Sequence, residues 1–278
     1  MKRSVLALPV ALVLASGAAA QTPPPAAASP AKLIRVYREE LSVGKGGGHT
    51  AFESKYVEAF RTAGWPVNYL AMESFTGPQE AWFLEGYDSW AAVGKAEADM
   101  AKQPALGARL QELAEMDAAF LSRSSSFTGR YREDLSYRAS PPNLAKARYM
   151  AVYFLRAKPG AHEEAEESVK ILASAYAKAA IADVRWAVYQ VTSGMQGNTY
   201  LSFRPMASLS ELDGSWTDAL KKAAGDELWK KRAALVKDSV VFLETRVFSM
   251  SPKMSYVSKE FAAQDPEFWA PKKAEDKK

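Results

Sequence analysis

Two stretches of this chain, 33–142 and 143–258, run through the same order of structural signals, and that repeat constrains the fold more than any single motif. Each opens on an apolar strand pattern containing Val-Tyr, with Val36-Tyr37 in Leu33 to Glu40 and Val152-Tyr153 in Tyr149 to Arg156. A glycine-containing loop, a histidine and an amphipathic helix follow. Phe52, Tyr56, Ala59 and Phe60 recur at i, i+4, i+7 and i+8, as do Ala165, Val169, Leu172 and Ala173. Thr50 with Glu53 fits a capping box, and Glu163 and Glu164 suit the positive end of the second helix. Alternating strands come next, with Val67, Tyr69 and Ala71 in one half and Val184, Trp186 and Val188 in the other. The turns Thr76-Gly77-Pro78 and Ser193-Gly194 lead into strands at Ala81 to Tyr87 and Thr199 to Arg204. Helical segments then span Ser89 to Ala119 and Ser208 to Val236, interrupted near Pro104 and Gly225. Closing strands at Glu133 to Tyr137 and Glu244 to Phe248 each precede a Ser-Pro pair.

Each half therefore reads β-α-β-β-α-β, the order of a ferredoxin-like unit, and the fold class is α+β. Such a unit has helices on one face of an antiparallel sheet. The other face must be covered, and a second copy packed face to face covers it. With its Val36-Tyr37…Gly48-His49 and Val152-Tyr153…Gly160-Ala161-His162 junctions and paired aromatic strands, the chain resembles the dimeric α/β-barrel superfamily, as a tandem duplication forming a pseudo-dimer. The resemblance covers roughly residues 33–258. It implies a ligand site between the sheet and helices of one unit. That superfamily holds cofactor-independent monooxygenases, haem-handling proteins and many uncharacterised ones, so it assigns no chemistry by itself.

The ends have their own signals. Residues 1–20 read as a secretory signal peptide: Lys2 and Arg3, an apolar run from Val5 to Ala15, then Ala18-Ala19-Ala20. Gln21, not a cysteine, follows the expected cleavage point, which argues against a lipid anchor. A Pro/Ala-rich leader at 21–32 and a charged tail at 259–278 flank the repeats. The expected location is periplasmic or secreted, with no membrane attachment after cleavage. The net charge of +4 resides in Lys2, Arg3 and the last seven residues, Lys272 to Lys278, leaving a neutral body with interleaved charges. A nucleic-acid partner needs a concentrated basic stripe, so none is expected.

The chain has no cysteine, which removes disulfides and thiolate chemistry, and only two histidines. His49 and His162 stand just before the first helix of each half and are the candidate catalytic residues. No H-E-x-x-H motif is present, and no carboxylate spacing completes a triad or a facial metal site, so neither a metal nor a cofactor is expected. The loop from Val43 to His49 matches no phosphate-binding order and reads as a mobile surface insertion. Glu163, Glu164, Glu166 and Glu167 read as a solvated helix face. Strand aromatics and their polar neighbours supply the candidate ligand-binding set: Asn68, Tyr69, Phe83, Tyr87, Arg185, Trp186, Tyr189 and Tyr200, with Glu73 as an orienting group. The expected function is binding of a small apolar or aromatic molecule by an exported protein, as a monomeric pseudo-dimer or a homodimer. The alternatives are a cofactor-independent monooxygenase or isomerase using His49 or His162, and haem binding through one of those histidines.

Overall fold

Strand alternation decides which residues enter the core. Along β1 (Leu33–Leu41), Ile34 and Val36 turn to one side and join a buried cluster with Met72, Trp82, Phe127, Val152 and Phe248. Leu33 turns to the other side and packs with Trp65, Tyr87 and Val93. The first side is the interior of a closed barrel, and the second faces a layer of helices. The computed structural model describes residues 29–140, 144–181 and 183–269. The signal peptide, residues 21–28 of the leader, the Pro141-Pro142 break and residues 270–278 lie outside the described residues.

The remaining elements follow in two parallel series. In the first half these are α1 (Gly46–Ala63), β2 (Tyr69–Ser74), β3 (Glu80–Tyr87), α2 (Trp90–Ala101), α3 (Pro104–Asp117) and β4 (Leu121–Tyr137). In the second they are β5 (Tyr149–Ala157), α4 (His162–Lys178), β6 (Trp186–Ser193), β7 (Thr199–Met206), α5 (Thr217–Ala224), α6 (Asp226–Ser239) and β8 (Val240–Met250). The strands close in the order β1-β3-β2-β8-β5-β7-β6-β4, every neighbour antiparallel. The halves meet at two seams, β2 with β8 and β4 with β6. The two expected face-to-face sheets thus close into one continuous eight-stranded barrel, because strand edges hydrogen-bond across both seams.

Trp82 centres the barrel, its ring against Phe127, Phe154 and Phe248. Full burial of a side chain such as Phe248 contributes about 2 kcal/mol. Toward one end, Glu80 is buried and accepts from Trp82 Nε1 (2.5 Å), Arg38 (2.7 Å) and Arg246 (2.8 Å). Arg38 belongs to the first half and Arg246 to the second, so one carboxylate ties them together.

Several boundaries differ from the sequence reading. Both closing strands begin earlier than their hydrophobic pattern, because the leading residues of β4 and β8 are exposed and alternate poorly. Val67 and Val184 precede their strands. The segment from 259 does not begin as a free charged tail. Short helices α7 (Lys259–Ala262) and α8 (Pro266–Trp269) carry Trp269 into the barrel core, where its Nε1 donates to the Ala145 carbonyl at 2.6 Å. Among the described residues, no helix is long and apolar enough to cross a membrane.

Candidate functional site

The spaces between the barrel and its helices differ sharply in the two halves. In the second half a cavity of about 430 Å³ opens between β5, β6, β7 and the helices α4 and α6. Its walls are largely apolar, with Leu155, Val169, Leu172, Val184, Trp186 and Val188 among them. Polar side chains also line it, Glu166, Tyr200, Arg204 and Arg232 among them. Arg204 is buried with its Nε unpartnered, while its Nη2 donates to the Glu211 carbonyl at 3.1 Å. Arg232 also has an unpartnered buried Nε, and burial lowers its pKa. Tyr200 donates to Glu166 at 2.6 Å, and Arg132 pairs with Glu166 at 2.5 Å. Burial and the neighbouring Glu166 raise the Tyr200 pKa, so the phenol stays protonated. An apolar slot with a few polar groups in its lining is the ordinary form of a small-molecule site.

Of the candidate ligand residues, Trp186 and Tyr200 line this cavity. The others lie elsewhere. Tyr69 and Phe83 pack together under α1, Tyr87 accepts from Arg35 at 3.0 Å and donates to Glu85, and Asn68 is exposed. Tyr189 points into the barrel and donates to the Ala31 carbonyl at 3.1 Å, while Arg185 is half-buried just before β6. The set scatters because alternate residues of one strand serve opposite faces. Arg204 and Arg232 were missed; an arginine within the apolar run of β7 was the available signal.

In the first half the same layer is filled. His49 is completely buried, and its Nε2 contacts Glu39 at 2.8 Å, with Glu53 and Asp117 each 3.8 Å away. Glu39 comes from the helix-facing side of β1, His49 and Glu53 from adjacent turns of α1, and Asp117 from the last residue of α3. Burial and the charges of Glu39 and Asp117 hold the Glu53 carboxyl well above the ordinary carboxylate range. Burial and Glu39 push Asp117 up to about 6. The expectation that no carboxylate completes such a set is corrected here: Glu53 stands one helical turn from His49, and Glu39 and Asp117 arrive through tertiary packing. Glu73 lies apart, against Thr50 Oγ1, which also reaches the Gly46 carbonyl at 2.9 Å.

The glycine segment explains how His49 reaches this position. Gly46, Gly47 and Gly48 form the first turn of α1 rather than a mobile insertion, so Thr50 lies inside the helix and no capping box forms. A Cβ at Gly48 would sit 2.7 Å from the Phe120 ring, so glycine lets α1 approach the segment after α3 that ends in Asp117. The two histidines are not equivalent. β1 begins at Leu33 and β5 at Tyr149, and α1 begins at Gly46 and α4 at His162, at one and the same spacing. At that spacing Glu39, His49 and Glu53 correspond to Leu155, Ala165 and Val169, all three of which line the cavity. His162 is exposed at the first position of α4. Neither imidazole lines the cavity, so chemistry resting on His49 or His162 has no residue there to carry it.

No family model and no curated protein matches this chain. Solved structures do share its architecture. An anthrone oxidase-like protein is similar at 12% identity over 82% of this chain and 94% of that one, with a TM-score of 0.51. A mutant chlorite dismutase from Candidatus Nitrospira defluvii in complex with cyanide is similar at 11% identity, covering 81% and 92%, with a TM-score of 0.47. A heme-binding protein from Thermus thermophilus is similar at 14% identity, covering 80% and 94%, with a TM-score of 0.42. The fold is that of the dimeric α/β-barrel proteins. Within this fold the cavity lies between sheet and helices of the second half.

Proposed function

We propose that the protein binds a small aromatic or apolar molecule bearing an anionic or strongly accepting group, held in the cavity of the second half. The observation that carries this reading is the pairing of apolar walls with two buried, unpartnered guanidinium Nε atoms, on Arg204 and Arg232. An unpaired buried donor is costly, and an acceptor on the ligand relieves it. The apolar body of the ligand lies against Trp186, Val188 and Leu172. The duplicated ferredoxin-like organisation belongs to the same reading: both halves run through one order of elements, and the second has kept the space that the first has filled. The basic and apolar start of the chain supports export to the periplasm or beyond. N-terminal sequencing of secreted protein should then begin at Gln21.

The cavity is tested by calorimetric titration with 2-naphthoate and with neutral naphthalene. Both should bind, naphthoate more tightly. Val169→Trp, which fills the space, should weaken both by at least about tenfold, the equivalent of about 1.4 kcal/mol. Arg232→Met should weaken naphthoate selectively. Absence of binding to either probe, together with no co-purified molecule in native mass spectrometry, would refute the proposal.

A further inference from the structure

The geometry points to a second, separate site: Glu39, His49, Glu53 and Asp117 form a binding site for one divalent first-row transition ion inside the first half. One donor atom from each residue lies within 4.8 Å of the others, close enough for modest side-chain rotation to place all four around one ion. The donors come from three elements, yet they converge on His49 Nε2. This arrangement is more than an acidic cluster. Glu53 Oε1 and Asp117 Oδ1 are buried and have no hydrogen-bond partner, and the side chains of Glu53 and Asp117 are only 5% and 2% exposed. Two orphaned carboxylate oxygens facing one imidazole offer free lone pairs to a cation, and an ion bound there would offset the desolvation cost of those buried oxygens.

Among the described residues, no lysine or arginine pairs with Glu39, Glu53 or Asp117. Nearby arginines are committed elsewhere: Arg35 to Glu85 and Glu97, Arg38 to Glu80. No basic side chain among the described residues therefore competes with an ion for these three carboxyl groups. The Phe120 ring stands edge-on to the fully buried His49 and against Phe52. One imidazole nitrogen with carboxylate oxygens and no sulfur selects Mn(II), Fe(II) or Zn(II). It disfavours Cu(I), which prefers thiolate and thioether, and Ca(II) and Mg(II), which take oxygen alone. The inference stands independently of the cavity in the second half, which shares none of these four residues.

The full mature chain is stripped with chelator, unfolded and refolded, then offered Mn(II), Zn(II), Co(II), Ca(II) or Mg(II). About one transition ion per chain should be retained on gel filtration by elemental analysis, with a raised Tm and a Co(II) visible spectrum showing a nitrogen–oxygen site. Glu53→Gln and Asp117→Asn should each weaken ion binding by more than about 100-fold, beyond the loss typical of an outer-shell partner. A purely structural role predicts that both variants lose stability with or without metal, whereas an ion site predicts the opposite for the metal-free forms. Removing an unpartnered buried carboxylate should leave the metal-free variants at least as thermostable as metal-free wild type, so only the metal-dependent rise in Tm disappears. The proposal is overturned if wild type retains no ion and its Tm is unmoved. It is equally overturned if Ca(II) acts as well as Mn(II), or if variants with native circular dichroism bind as wild type does.

Discussion

At one spacing along the chain, Glu39, His49 and Glu53 in the first half stand where Leu155, Ala165 and Val169 stand in the second. The barrel and its helices are arranged alike around both sets, yet one place holds a buried charged cluster and the other an apolar cavity. The contrast teaches that the scaffold sets where a site can form and three side chains set its chemistry. Small Ala165 leaves space over the sheet; larger His49, with its carboxylates, fills it. The neighbouring packing follows suit. Under α1 the rings of Phe60, Tyr69, Phe83 and Tyr256 interlock, whereas Trp186 meets Tyr137 and Tyr176 on one side and free volume on the other.

The seam between the halves offers the hardest test of their mutual dependence. Glu80→Ala strands Arg38 and Arg246 without their shared carboxylate, and should cost about 3 to 5 kcal/mol in chemical denaturation. A cost under about 1 kcal/mol would mean that each half is stable without that tie. A matched pair of truncations sharpens the filled-versus-open contrast. Leu113→Ala, at a fully buried position of α3 in the first half, should cost about 3 kcal/mol. Leu172→Ala, whose side chain already faces the cavity, should cost about 1 kcal/mol or less. Equal costs would show that the cavity is closed in solution.

The smallest effect concerns acid. Hydrogen bonding to Arg132 holds Asp134 down to about 2 and keeps Glu166 below the ordinary carboxylate range. Both folded values are depressed, so this stabilisation is complete above about pH 5 and is lost as pH falls toward the folded values. Wild type should lose stability progressively across that window. Arg132→Met should flatten that acid limb, measured as Tm against pH, and an unchanged limb would remove Arg132 from the account. Because Asp134 is half exposed, the change should be modest and should shrink in salt.

The element order was legible because each half carries its own periodicities. The two-residue alternation in Leu33 to Glu40 and the 3.6-residue spacing of Phe52, Tyr56 and Phe60 report burial directly. Strand ends were less legible, since the exposed starts of β4 and β8 are held by backbone pairing, which leaves no hydrophobic trace. The candidate sites were legible only in fragments. His49 stood out by scarcity and Trp186 and Tyr200 by their strand, but Gly48 looked like part of a loose loop. Its reason is Phe120, a ring distant in sequence that a Cβ would strike.

By itself the sequence determined the repeated β-α-β-β-α-β order, the absence of cysteine chemistry and the neutral body, because these are local or additive properties. Only the tertiary structure decided that β2 meets β8 and β4 meets β6 to close one barrel, and that Trp269 plugs it. It alone also brought Glu39 and Asp117 to His49, and left the Nε atoms of Arg204 and Arg232 unpartnered in residues that line an apolar space. Convergence of side chains from separate elements depends on packing, and one-dimensional periodicity carries no record of which faces meet.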